Sequence, residues 1–128
     1  MRGVKLSEEL KQVLLDAEAA KALATVGPCG LNVAAVSSIK LVDDTIWLVD
    51  YFMNKTRKNI QATQQASLVA WSGLASYQVR AAVTYHTKGA VYVRACKWVQ
   101  QIHPERAVQG VLVLTPEEVF DASITDKV

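Results

Sequence analysis

The chain has 128 residues, 51% of them hydrophobic and 20% charged, with a formal net charge of +2. That length fits one domain able to bury a core without disulfide or metal staples, and the composition excludes a disordered chain. A charge of +2 spread among interspersed acids and bases excludes a nucleic-acid footprint built on charge, and no apolar run is long enough to span a bilayer.

The first residues, Met-Arg-Gly-Val-Lys-Leu-Ser, lack the apolar core of a signal peptide, so a soluble cytoplasmic protein is expected. Residues 7–20 are predicted as an amphipathic helix. Ser7 caps it, Glu8 and Glu9 suit its first turn, and Leu6, Leu10, Val13, Leu14 and Ala17 form one apolar stripe. A short strand follows at 22–26, then a turn at Gly27-Pro28-Cys29-Gly30. Cys29 and Cys96 are far apart and form no CxxC motif, so two free thiols are expected. No basic residue or acid–base partner stands beside Cys29 to activate it.

Residues 31–42 read as one strand with neither face strongly polar, hence covered on both sides. Its small residues, 34–38, leave room for a flat ligand or another chain to lie close; tight packing inside a barrel is the other reading. Asp43-Asp44 makes a hairpin turn into a strand at 45–49. The next stretch, Asp50-Tyr-Phe-Met-Asn-Lys-Thr-Arg-Lys-Asn59, leads into a predicted helix at Asn54–Thr63 with Asn54 as its N-cap. A helix start offers unpaired N–H groups and a positive dipole end, and Lys55 and Thr56 add an ammonium and a hydroxyl. That set makes a phosphate cradle, while the same cluster of Lys55, Arg57 and Lys58 also reads as a solvated helix face.

Strands are expected at 67–71 and 77–87, joined by a loop from Ser72 to Ser76, with Lys88-Gly89 closing the second. Residues 90–101 satisfy two patterns: Val91, Tyr92 and Val93 favour a strand, whereas Val91, Ala95, Trp98 and Ile102 fall at helical spacing. Helix is the preferred assignment, broken by Pro104. A strand at 107–114 follows, Thr115-Pro116 turns the chain, and 119–121 adds a last short pairing. Strands follow strands more often than they alternate with helices, which points to an antiparallel barrel of about six strands with helices outside it.

The chemistry of its own side chains is sparse. His86 and His103 have no second ligand at metal spacing, so no metal site is assigned. No nucleophile elbow, GxGxxG or Walker sequence occurs, and no catalytic residue is assigned. A protein without its own acid–base constellation can still do chemistry if a cofactor carries the reactive atoms.

Three pieces of the chain resemble the pyridoxamine 5′-phosphate oxidase-like, FMN-binding split-barrel superfamily. They are Met53-Asn54-Lys55-Thr56-x-x-Asn59-Ile60 after a hairpin and strand, Trp71 followed by Tyr77-Gln78-Val79-Arg80, and Tyr85-His86-Thr87-Lys88-Gly89 with Lys97-Trp98. The resemblance runs from about residue 7 to 123 and supports the helix at 90–101. It implies a single domain over residues 1–128, a six-stranded antiparallel Greek-key split barrel. It further implies a homodimer with FMN in grooves at the subunit interface. On that resemblance, Lys55 and Thr56 hold the phosphate beside Met53 and Asn54. Val36, Ser37 and Ser38 run along the flavin ring, Asp50 and Tyr51 flank it, and Gln78 contacts it. The implied activity is that of a flavin-dependent oxidoreductase or electron-transfer protein with an unidentified redox partner or substrate. Two departures bear on this. Ala35 stands where the oxidase has a phosphate-binding arginine, and Arg57 or Lys58 is a partial substitute. The chain is shorter than the oxidase and lacks its Arg-Leu-rich C-terminal segment, so vitamin B6 oxidation is not expected. The alternatives are a dimer without flavin acting as a binding or regulatory protein, or one holding a deazaflavin or haem.

Overall fold

The computed structural model describes residues 3–123. Helix α1 (Glu8–Leu15) precedes strands β1 (Ala20–Thr25), β2 (Asn32–Ala35), β3 (Ile39–Val42) and β4 (Thr45–Asp50). Helix α2 (Asn54–Thr63), strands β5 (Gln65–Ser72) and β6 (Ala75–His86), helix α3 (Gly89–Ile102) and strand β7 (Gly110–Asp121) complete the chain. The strands form one antiparallel sheet in the order β2-β1-β5-β6-β7-β4-β3.

The two edges of that sheet, β2 and β3, are consecutive in the chain and joined only by Val36, Ser37 and Ser38. Such a link spans at most about 14 Å. The sheet must therefore curl until its edges meet, which makes the split barrel. The strand expected at 31–42 is thus broken in the middle, and seven strands replace the expected six. The physical reason is that its two halves pair with different partners: Ala35 is opposite Ala22 of β1, and Ile39 is opposite Leu48 of β4.

Alternation sets the core. Val79, Ala81 and Val83 of β6, Leu68 of β5, Leu23 of β1, Ile46 and Leu48 of β4, and Leu112 and Leu114 of β7 point inward. Leu10 and Leu14 of α1 and Ile60 of α2 close the same core, and burial of each leucine contributes about 2 kcal/mol. Strand β4 is buried on both faces because Trp47 packs outward against Ala95 of α3 and Val111. That second layer is why 90–101 had to be a helix with an apolar side.

Several strand ends shift by one to three residues, and four further departures from the sequence reading have a local physical cause. Ser7 does cap α1, accepting the Leu10 N–H at 3.2 Å, but the helix stops at Leu15 rather than 20. Asp16 takes the Glu18 N–H on its carboxylate at 2.8 Å, a local turn that competes with another helical turn. Asn54 is the first helical residue rather than the N-cap, which is Met53. The loop expected between β5 and β6 is a two-residue hairpin, Ser72 opposite Ala75, with Gly73 left-handed at φ 59°. Thr115-Pro116 does not turn the chain. Strand β7 runs through it, with Ala81 opposite Pro116 and Arg80 opposite Glu118, so Glu117 is the extra residue of a bulge that accommodates the proline.

Candidate functional site

At the end of β4 the chain must leave the sheet and start a helix, and Asp50 makes that turn. It is 1% exposed. Its Oδ1 accepts the Met53 N–H at 2.6 Å and its Oδ2 accepts the Tyr85 hydroxyl at 2.6 Å. The Asp50 carbonyl accepts the Gln109 N–H at 2.8 Å, which ties the end of β4 to the start of β7. Burial first, and then the hydrogen bond and charge of Asp50, hold the Tyr85 phenol above its ordinary ionisation range. The ring lies over Gly110, where an added Cβ would overlap it. The resemblance implied Asp50 as a flank of the ligand; in the structure its carboxylate is committed to internal bonds at the junction. It is a buried anchor, and its charge already faces the positive end of α2.

The residues of α2 divide between surface and interior. Asn54 and Lys55 are exposed on its first turn, and Asn54 Oδ1 accepts a bond from Arg57 Nη2 at 2.9 Å. Thr56 faces inward and is 1% exposed, and its hydroxyl accepts the Asn32 amide at 2.7 Å. The cradle read from sequence placed this hydroxyl at a phosphate; in the structure it is turned inward and bonded to Asn32. Asn59 is fully buried. It accepts the Cys29 N–H at 2.9 Å and donates to the Gly30 carbonyl at 2.9 Å and the Thr25 hydroxyl at 3.2 Å. The Asn-Ile pair of the motif thus serves structure: Asn59 holds the Gly27–Gly30 turn that sets β2, and Ile60 fills the core. Gly27 is needed there because a Cβ would press on Asn59 at 2.8 Å.

Beside this junction lies a groove of about 760 Å³. One wall is residues 34–37 at the break between β2 and β3. Tyr51, Phe52 and Met53 form the second, and Glu105, Arg106, Ala107 and Gln109 the third. Of the expected ligand residues, the groove brings together Val36, Ser37, Tyr51 and Met53. Ser38 lies just behind, 4% exposed, sharing a 2.9 Å hydrogen bond with the Tyr51 hydroxyl that fixes the ring. Ser37 and Ser38 belong to neither ladder, so their backbone groups are not committed to the sheet. Lys55 stands beyond Met53, outside the lining.

Gln78 does not reach this groove. It pairs with Phe120, ten residues along β7 from Gly110, on the order of 30 Å of strand. Its amide donates to Ser67 Oγ at 2.8 Å. Ser67 also lines a second groove of about 440 Å³, which includes the exposed Arg80–Glu118 ion pair at 3.3 Å.

Sequence reasoning missed the third wall. Arg106 Cζ lies 5.0 Å from the centre of the Tyr51 ring and its Nη1 lies 3.4 Å from Ser37 Oγ. No local signal marks a residue two places after Pro104. Arg106 arrives because β7 pairs with β4, which depends on the whole sheet.

The two histidines differ. The His86 Nε2 is shared with Thr84 Oγ1 at 2.8 Å, while His103, the C-cap of α3, has Nδ1 3.8 Å from Glu105. Among the described residues no group of three or more His, Cys, Asp or Glu is placed to hold a metal, and Cys29 and Cys96 are free. No described helix is long and apolar enough to cross a membrane.

Comparison with known proteins agrees with the fold. HupZ of Group A Streptococcus superposes with a TM-score of 0.80 at 24% identity, covering 94% of this chain and 99% of that one. An FMN-binding protein from Syntrophomonas wolfei gives 0.76 at 16% identity, covering 89% and 84%. HutZ, the haem storage protein from Vibrio cholerae, gives 0.70 at 14% identity, covering 92% and 95%. Among curated proteins, none matches the chain. The sequence profile described as pyridoxamine 5′-phosphate oxidase matches residues 6–123. A match over that much of the chain, on a barrel closed at the 36–38 break, places this protein in the pyridoxamine 5′-phosphate oxidase family.

Proposed function

We propose that the chain binds FMN in the groove between residues 34–37, Tyr51 and Arg106, and that it works as a homodimeric flavoprotein in electron transfer or flavin-dependent oxidoreduction. The observation that carries this reading is the groove itself. It is a wall of small residues on the edge strand β2 that leaves the sheet ladder at Ser37, facing an aromatic ring whose hydroxyl is bonded to Ser38. A planar ring with polar edges fits such a wall, which supplies apolar contact and free N–H and C=O groups together. Lys55 on the exposed first turn of α2 and Arg106, an exposed residue of the groove lining, are the cations suited to a phosphate. When bound, the flavin supplies the electron chemistry. The chain positions the ring through Tyr51 and the 36–38 backbone, and covers part of it from water. The Syntrophomonas wolfei FMN-binding protein, alike in fold, supports this reading.

A second copy is part of the proposal. Gln78 lies some 30 Å of strand away from its own groove, so its flavin contact requires a neighbouring chain. Leu31, Val33 and Phe52 are strongly exposed apolar side chains suited to an interface between copies. The test is titration with FMN followed by quenching of flavin fluorescence, with solution mass measured alongside. Saturable binding at one FMN per chain in a dimer supports the reading; no binding refutes it.

A haem-binding reading is favoured by one observation. His103 stands two residues before Glu105, a residue of the groove wall, with its Nδ1 3.8 Å from that carboxylate, so an imidazole is available close to the groove. HutZ and its haem storage stand in the same fold. A haem spectrum abolished by His103→Ala supports this alternative and would displace FMN. A deazaflavin shares the ring and phosphate requirements and is separated from FMN by competition.

A further inference from the structure

We infer that Arg106 is the anion anchor of the groove, doing from the α3–β7 connection what Ala35 on β2 cannot. The inference rests on the groove being the ligand site proposed above, and it assigns the group that recognises the ligand's negative end.

Three features support it. The guanidinium is held in place without being used up: it stacks on Tyr51 at 5.0 Å and touches Ser37 Oγ at 3.4 Å. Stacking leaves the in-plane N–H donors of arginine open for a bidentate partner. Second, although Glu105 lines the same groove, its carboxylate is not paired with Arg106. Glu105, its sequence neighbour, faces His103 instead, and among the described residues no carboxylate lies within ion-pair distance of Arg106. Arg106 is solvent-exposed, and stacked beside a groove whose other lining residues are mostly alanine, valine, tyrosine, phenylalanine and methionine it is open to an anionic ligand group. Third, Arg106 is the cation of the groove's lining; Arg57 is engaged elsewhere, and Lys55 stands beside the groove as a second contact for the same anion. Arg57 bonds Asn54 and lies near the Tyr85–Asp50 pair, and Lys55 is beyond the lining. The start of α2 is meanwhile partly neutralised by the buried Asp50 carboxylate.

The anion is a phosphate if the ligand is FMN and a carboxylate if it is a haem. The experiment measures dissociation constants for FMN and riboflavin, which differ by that phosphate, in the wild type, Arg106→Gln and Arg106→Lys. Thermal melts establish that each variant is folded. The wild type is expected to prefer FMN. Arg106→Gln is expected to lose about tenfold to a hundredfold in FMN affinity and little in riboflavin affinity, with Arg106→Lys recovering part. An FMN-to-riboflavin ratio in Arg106→Gln equal to that of the wild type overturns the inference while leaving the flavin reading intact. If the wild type binds neither flavin, the flavin reading fails by itself. The same variants then face haem and its dimethyl ester, where selective loss of haem affinity in Arg106→Gln upholds the anchor. An unchanged ratio there, or no binding of either pair, overturns it.

Discussion

Replacing Asn59 by alanine removes a side chain that faces no ligand yet decides where one wall of the groove lies. Asn59 is fully buried, and three hydrogen bonds join it to Cys29, Gly30 and Thr25. Each buried bond contributes about 1 kcal/mol net, and leaving the Cys29 N–H or the Gly30 carbonyl unpaired costs more. The expected loss is about 3 kcal/mol, which lowers the melting temperature of a domain this size by roughly 10 °C. The assay is thermal unfolding of wild type, Asn59→Ala and Asn59→Asp. Aspartate keeps the acceptor for Cys29 but sets a carboxylate oxygen against the Gly30 carbonyl, so at neutral pH it is expected to be no better than alanine. As the pH falls toward about 4 the carboxyl regains a proton to donate, and the aspartate penalty should shrink. Because the turn sets β2, FMN affinity should fall in both variants. A melt of Asn59→Ala within about 2 °C of wild type would refute the assignment of Asn59 as the anchor of this turn.

The Asp50–Tyr85–Gly110 knot gives two more tests. Tyr85→Phe deletes a bond to a buried carboxylate and should cost about 2 kcal/mol in denaturant unfolding. The folded phenol ionises above its ordinary range, so its contribution is complete below the unfolded pKa of about 10 and is lost as the pH rises past it. Wild type should therefore lose stability above about pH 10 more steeply than Tyr85→Phe; parallel curves would contradict the coupling. Gly110→Ala drives a Cβ into the Tyr85 ring and should destabilise by about 2 kcal/mol or more, read from the same unfolding curves. Lys55→Ala should weaken FMN binding by about tenfold through loss of a charge-assisted contact, and unchanged affinity in a folded variant would remove Lys55 from the site.

Local signals carried much of the fold. Ser7 as a cap, Asp43-Asp44 as a turn, and the alternation of Val79, Ala81 and Val83 are set by neighbours a few residues away. The break at 36–38 was not legible, because its two halves pair with different strands, β1 and β4, and so become the opposite edges of the sheet. Pro116 reads as a turn until a bulge opposite Arg80 and Ala81 is seen to absorb it. The site was legible in part for the same reason. The 34–37 wall and Tyr51 declare themselves through small residues and an aromatic at a strand end. The internal bonds of Thr56 and Asp50 were not legible, because burial cannot be read from a helix start. Arg106 and the remoteness of Gln78 follow only from sheet order.

The central claim is that the groove holds FMN. Its most direct test is the visible absorption spectrum of the purified protein, before and after incubation with FMN, with the chromophore released on denaturation identified by mass. The account predicts the two-banded spectrum of oxidised flavin and recovery of about one FMN per chain. A protein that stays colourless with FMN, or that shows a haem spectrum in its place, would contradict it.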